Sequence, residues 1–167
     1  MLACPARCSA ALLVLTLLSA CGPTEGPEEA DEASFEALPG RLVIVGGSLD
    51  ADNEAVYRAV LEARDGDGPL CVLPTASGDP EPSMNSAIRR FQRYGGPDVE
   101  VTGIWVTTEN PEAVGRPAVV DSLAACSGYW FVGGSQSRIM EVFRPAAGDT
   151  PAYEALMRRW REGSVVS

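Results

Sequence analysis

The sequence predicts an α/β domain built on a mostly parallel sheet with flanking helices. From residue 40 onward, short apolar runs of β-favouring residues alternate with segments whose apolar residues recur at three and four. That strand-helix alternation is the order of a parallel sheet with right-handed crossovers. Two of the runs, 41–45 and 129–132, lead directly into glycine pairs, Gly46-Gly47 and Gly133-Gly134. Open parallel sheets carry their ligand loops at such C-terminal strand ends. Paired glycines let a backbone bend and approach a ligand closely, and they leave N–H groups free to face an anion or a developing oxyanion. The stretch from residue 40 to 167 is long enough for one hydrophobic core.

The chain begins with what reads as an export signal, residues 1–20. Arg7 supplies a short positive region, and residues 10–18 form an apolar run too short to span a membrane comfortably. Leu18-Ser19-Ala20-Cys21 resembles a bacterial lipobox, whose cleavage leaves Cys21 as a lipidated N-terminus. An ordinary secretory signal or an uncleaved anchor is the alternative. Gly22 rather than Asp follows the cysteine, which favours the outer membrane and a periplasm-facing or surface lipoprotein. Residues 21–39 are rich in Glu, Pro and Ala with almost nothing to bury, the composition of a disordered acidic tether.

Within residues 40–167, the run 41–45 reads as the first strand. Asp50 or Asp52 is placed to cap a helix in which Val56, Val60 and Ala63 recur, with Tyr57 and Leu61 alongside. Residues 70–73 form the second strand, left by the polar loop Pro74-Thr75-Ala76-Ser77-Gly78. Thr75 and Ser77 read as satisfied turn hydroxyls, with cleft lining as the alternative. Ser83 is read as the cap of a helix burying Met84, Ile88 and Phe91, with Arg89, Arg90 and Arg93 on other faces as a solvated basic cluster. A third strand is expected within 99–107, through Ile104, Trp105 and Val106. Glu109-Asn110-Pro111-Glu112 turns the chain into a short helix over 117–126 that buries Val119, Val120 and Leu123. The central strand, 129–132, delivers the loop Gly133-Gly134-Ser135-Gln136 and a brief helical turn through Ile139, Val142 and Phe143, which Pro145 ends. Thr150 with Pro151 opens a last helix carrying Tyr153, Leu156 and Trp160, and Gly163 closes it.

Charge and composition exclude several functions. The net charge is −10, and six of the 23 acidic residues precede residue 40; the remaining 17 face 12 Arg, which argues against nucleic acid as a partner. Gly46-Gly47-Ser48 lacks the further glycine of a dinucleotide fingerprint, so no nucleotide cofactor is expected. With no His and no grouped thiols, a metal centre is not expected either. Of the five cysteines, only Cys71 and Cys126 fall within the domain. Cys71 lies in an apolar strand and reads as a buried free thiol, with a disulfide to Cys126 as the alternative.

Four stretches in order complete the reading: residues 40–48 ending Gly46-Gly47-Ser48, then Val72-Leu73-Pro74-Thr75-Ala76-Ser77, then Asn110-Pro111-Glu112, then Trp130-Phe131-Val132-Gly133-Gly134-Ser135-Gln136-Ser137-Arg138. Together they resemble the cyanophycinase and aspartyl dipeptidase family of serine peptidases. Ser135 stands where the family's commonest form has an acidic residue or Asn. The resemblance implies a flavodoxin-like or class I glutamine amidotransferase-like sheet, hydrolysis of aspartyl peptide bonds, no cofactor, and a peptide substrate. It also implies a serine nucleophile in a Gly-x-Ser-x-Gly-like elbow after the next strand, and the chain is expected to stop short of that elbow. A Ser-His relay needs an imidazole that these residues do not contain. On this resemblance Gly133 and Gly134 are candidates for the oxyanion hole. Gln136, Ser135, Arg138, Gly46, Gly47 and Ser48 are candidates for substrate binding. A non-catalytic lipoprotein that binds a peptide or small acid in the same loops is the alternative.

Overall fold

The computed structural model describes residues 39–167. The expected signal, the Cys21 lipidation site and nearly all of the acidic tether lie outside the described residues. The described residues form five strands and five α-helices, alternating except that α4 and α5 are consecutive: β1 (Arg41–Leu42), α1 (Glu54–Glu62), β2 (Leu70–Leu73), α2 (Pro80–Gly95), β3 (Val101–Gly103), α3 (Pro117–Ala125), β4 (Gly128–Phe131), α4 (Gln136–Phe143), α5 (Pro151–Glu162) and β5 (Val165–Val166). A 3₁₀ turn, Pro111–Gly115, precedes α3. The sheet order is β1-β5-β4-β2-β3, and every pairing is parallel. Without β1, this is the order of the first four strands of a flavodoxin-like sheet, with β1 in the fifth place.

Both faces of the sheet are covered, which is why β2 and β4 are continuous apolar runs rather than alternating ones. The period of two still sorts their side chains. Leu70, Val72, Trp130 and Val132 pack with Tyr57, Val60 and Phe91 of α1 and α2. Cys71, Leu73 and Tyr129 pack with Leu123, Val142, Phe143 and Leu156 of α3, α4 and α5. The register Val72↔Trp130 and Cys71↔Tyr129 keeps each face in step across the two central strands. On the first face four aromatic rings interlock: Tyr57 stacks on Tyr94 at 5.3 Å, and Phe91 meets Tyr57 edge-on at 5.2 Å and Trp130 at 5.0 Å. Such pairs add about 0.5–1.5 kcal/mol each beyond the area they bury.

Several boundaries differ from expectation, each for a physical reason. Asn53, not Asp50 or Asp52, caps α1, its Oδ1 accepting from the Val56 N–H at 3.4 Å. Helix α2 begins at Pro80, so Ser83 lies inside it, and its hydroxyl pairs with that of Ser77 at 2.8 Å. Strand β3 ends at Gly103: it is an edge strand with one neighbour, and beyond it only the Ile104 N–H reaches β2, donating to Val72 O at 3.0 Å. Ile104 and Val106 are buried all the same, while Trp105 turns outward. The first strand spans only Arg41–Leu42, with the Val43 N–H still donating to Val166 O of β5 at 3.1 Å. Cys71 and Cys126 are not free thiols but a disulfide, with Cα atoms 5.9 Å apart. The last helix follows the sequence closely, with Thr150 Oγ1 accepting from the Tyr153 N–H and Gly163 at φ +128° ending it.

Tyr129 lies at the centre of the second core, where its hydroxyl donates to the Leu123 carbonyl at 2.6 Å. Burial pushes the phenol well above its usual value, and the nearby Arg159 and Arg158 only partly oppose this. The folded state therefore holds the phenol proton more tightly than the unfolded chain. Stability from this group is fully present below about pH 10, the ordinary tyrosine value, and is lost as pH rises beyond it. The melting temperature should fall as pH is raised above about 10, and it should fall less in Tyr129→Phe over the same window.

Candidate functional site

At the C-terminal edge of the sheet the βα loops enclose a cleft of about 690 Å³. The loop after β1 contributes Gly46, Gly47 and Ser48, the loop after β2 contributes Ala76, the loop after β4 contributes Gly133 and Gly134, and the start of α4 contributes Gln136. One wall is α2, through Ser83, Ser86, Ala87 and Arg90, and Tyr57 and Trp130 also line the cleft. A ligand of an open α/β sheet binds in such a crevice, outside the carboxyl ends of the strands where the strand order reverses.

The loops are brought together by a close backbone approach. Gly134 sits at φ +151°, in glycine territory, and a Cβ there would collide with the Ala76 carbonyl oxygen and reach Ser77 N at 3.0 Å. The same Ala76 carbonyl accepts from the Ser135 N–H at 2.9 Å and from Arg138 Nη1 at 3.2 Å. These contacts pin the start of α4 against the loop after β2. Ser48, which also lines the cleft, adopts φ +61°, the one non-glycine residue with positive φ among the described residues.

Six of the eight predicted site residues therefore line one cleft: Gly46, Gly47, Ser48, Gly133, Gly134 and Gln136. The other two do not line it. The Ser135 hydroxyl pairs with that of Ser137 at 2.6 Å, and Arg138 is spent on the Ala76 carbonyl. Thr75 and Ser77 are satisfied turn hydroxyls, Thr75 Oγ1 donating to Val106 O at 2.7 Å and Ser77 Oγ accepting from the Asp79 N–H at 3.0 Å. Among the described residues the Gly133 and Gly134 N–H groups have no hydrogen-bond partner, which leaves them available to an anionic or oxyanionic atom in the cleft.

Arg90 departs from the solvated cluster in which its sequence neighbours place it. Arg89 and Arg93 are exposed, but Arg90 is half-buried at the cleft wall and donates to Tyr57 Oη at 3.4 Å. A signal for this exists in the sequence: Ser83, Ser86, Ala87 and Arg90 recur at three and four, a second stripe on α2 beside the apolar one. Among the described residues no group of three or more His, Cys, Asp or Glu is placed to hold a metal ion, and no helix is long and apolar enough to cross a membrane.

A parallel five-stranded sheet between two helical layers, with a glycine-lipped cleft at its carboxyl edge, defines a flavodoxin-like α/β domain. No family model matches the chain. Cyanophycinases from Nostoc sp. and Trichormus variabilis are each 28% identical to it over 132 residues, which is 78% of this chain and 42% of the relative. The chain thus spans less than half the length of these curated relatives. The crystal structure of a peptidase from an acI-B1 Actinobacterium shares the fold, with a TM-score of 0.57 at 18% identity over 75% of this chain and 50% of that one. The crystal structure shows the fold alone, and the similarity to the two cyanophycinases supports a cyanophycinase-like peptidase family, the one the glycine-loop motifs resemble.

Proposed function

We propose that this chain forms one wall of the active cleft of an exported cyanophycinase-like serine peptidase that cleaves peptide bonds beside aspartyl units. The observation that carries the reading is the convergence of Gly46-Gly47-Ser48, Ala76 and Gly133-Gly134-Gln136 on one cleft, with two unpaired backbone N–H groups at its lip. In this reading a serine hydroxyl attacks the scissile carbonyl carbon and passes its proton to an imidazole, while the carbonyl oxygen becomes an oxyanion. The Gly133 and Gly134 N–H groups receive that charge, and the Gln136 amide orients the substrate. Losing one oxyanion donor typically lowers the rate by about 10²–10³. The chain contains no His, so the base comes from outside these 167 residues, and we place the nucleophile there too. Export through residues 1–20 and a lipid on Cys21 complete the proposal, with the acidic segment as tether to the bacterial outer membrane. The Cys71–Cys126 disulfide supports an oxidising compartment.

The test is hydrolysis of β-aspartyl-arginine polymer by the full-length product of the gene. Gln136→Ala should lower kcat/KM about tenfold to a hundredfold with an unchanged circular dichroism spectrum, the loss expected when a substrate-orienting hydrogen bond is removed. A full-length product that hydrolyses no aspartyl peptide would overturn the peptidase and leave a binding protein.

A further inference from the structure

We propose that Arg90 makes this cleft selective for ligands bearing a carboxylate. Among the described residues every other side chain lining the cleft is uncharged, so the guanidinium is its one charged side chain. The ion pairs among the described residues engage Arg58, Arg116, Arg144 and Arg159, and Arg90 enters none of them. Among the described residues its one hydrogen-bond partner is the neutral Tyr57 hydroxyl at 3.4 Å, which occupies a single donor. A guanidinium carries five in a planar fork, so four remain for a ligand at a residue that lines the cleft.

The surroundings strengthen that charge and aim it. Tyr57 is 1% exposed and held by Phe91, Tyr94 and Trp130, so the oxygen that Arg90 contacts is fixed in place. An apolar wall of this kind lowers the local dielectric and lengthens the reach of a charge. The same lining includes further donors, the Gly133 and Gly134 N–H groups and the Gln136 amide. A lining with several donors and no acidic side chain among the described residues favours an anion, although the chain as a whole carries −10. A carboxylate matches the fork bidentately. The peptide nature of the ligand rests on the peptidase reading; its charge rests on Arg90. The carboxylate can be an aspartyl side chain or a peptide C-terminus.

Binding of three short peptides to the full chain, read by calorimetry, separates the possibilities. Acetyl-Asn-Ala-amide is neutral, acetyl-Asp-Ala-amide carries only a side-chain carboxylate, and acetyl-Asn-Ala carries only a terminal one. At least one anionic peptide should bind about tenfold to a hundredfold more tightly than the neutral one, the range for a charge-assisted bond. Whichever anionic peptide wins identifies the source of the carboxylate. The preference should vanish in Arg90→Gln while neutral-peptide affinity is kept. Equal affinity for all three peptides overturns the proposal, and so does a preference that survives in a folded Arg90→Gln. Should that variant not fold, wild-type protein carries the test: raising salt from about 0.05 M to about 0.5 M must narrow the preference several-fold, and a flat preference overturns it.

The peptidase reading fails in a different place. A full-length product that hydrolyses no aspartyl peptide but keeps the Arg90-dependent preference removes the peptidase and leaves the anchor. Hydrolysis of neutral and acidic peptides at equal kcat/KM removes the anchor and leaves the peptidase.

Discussion

Gly134→Ala is expected to lower stability by about 3 kcal/mol or more, through backbone strain and overpacking together. The two costs arise at one atom. An L side chain at φ +151° is strained whatever the space around it, and here the added Cβ meets the Ala76 carbonyl. The obstacle is main chain, so no rotamer change can relieve it. Relief requires the loops after β2 and β4 to separate, which breaks the Ser135 N–H bond to Ala76 and opens the cleft floor. Gly133→Ala is the matched control, because a Cβ there meets nothing within 4 Å. Urea denaturation of the two variants should show a large loss for Gly134→Ala and little change for Gly133→Ala. Equal midpoints would mean that the loop approach contributes nothing.

Reducing the Cys71–Cys126 disulfide, or replacing both cysteines by Ala, is expected to cost about 4 kcal/mol on the loop-closure model. The bond closes a loop of sequence separation 55, joining β2 to the end of α3 across β3. Opening it returns that loop's freedom to the unfolded chain and leaves two sulfur positions in a core where both residues are 0% exposed. Domains of this size are stable by about 5–15 kcal/mol in all, so the loss is a large share of the total. Urea midpoints with and without reductant measure it, with free thiols counted by mass. Coincident midpoints after complete reduction would remove the disulfide from the stability account.

Much of the fold was legible because its signals are local. Strand β2 matches the apolar run 70–73, and β4 falls within one residue of 129–132. Helix α5 starts at the Thr150-Pro151 signal and stops at Gly163, since caps act within a single turn. Strand β3 was overextended because Ile104 and Val106 are as apolar as a strand but lie beyond the sheet edge, where hydrophobicity no longer reports pairing. Likewise Asn53 and the aspartates before it are all capable caps, and only the path of the preceding turn selects among them.

By itself the sequence determined that a parallel α/β domain forms, that two glycine loops leave its strands on the same side, and that no imidazole resides in the chain. The tertiary structure alone decided that Cys71 meets Cys126, that Ser135 and Arg138 brace loops instead of lining the cleft, and that Arg90 faces the cleft while Arg89 and Arg93 face solvent. The physical reason is range. Strand and helix signals arise from neighbours a few residues apart, whereas these outcomes depend on strand order and helix rotation, which the packing of distant segments sets.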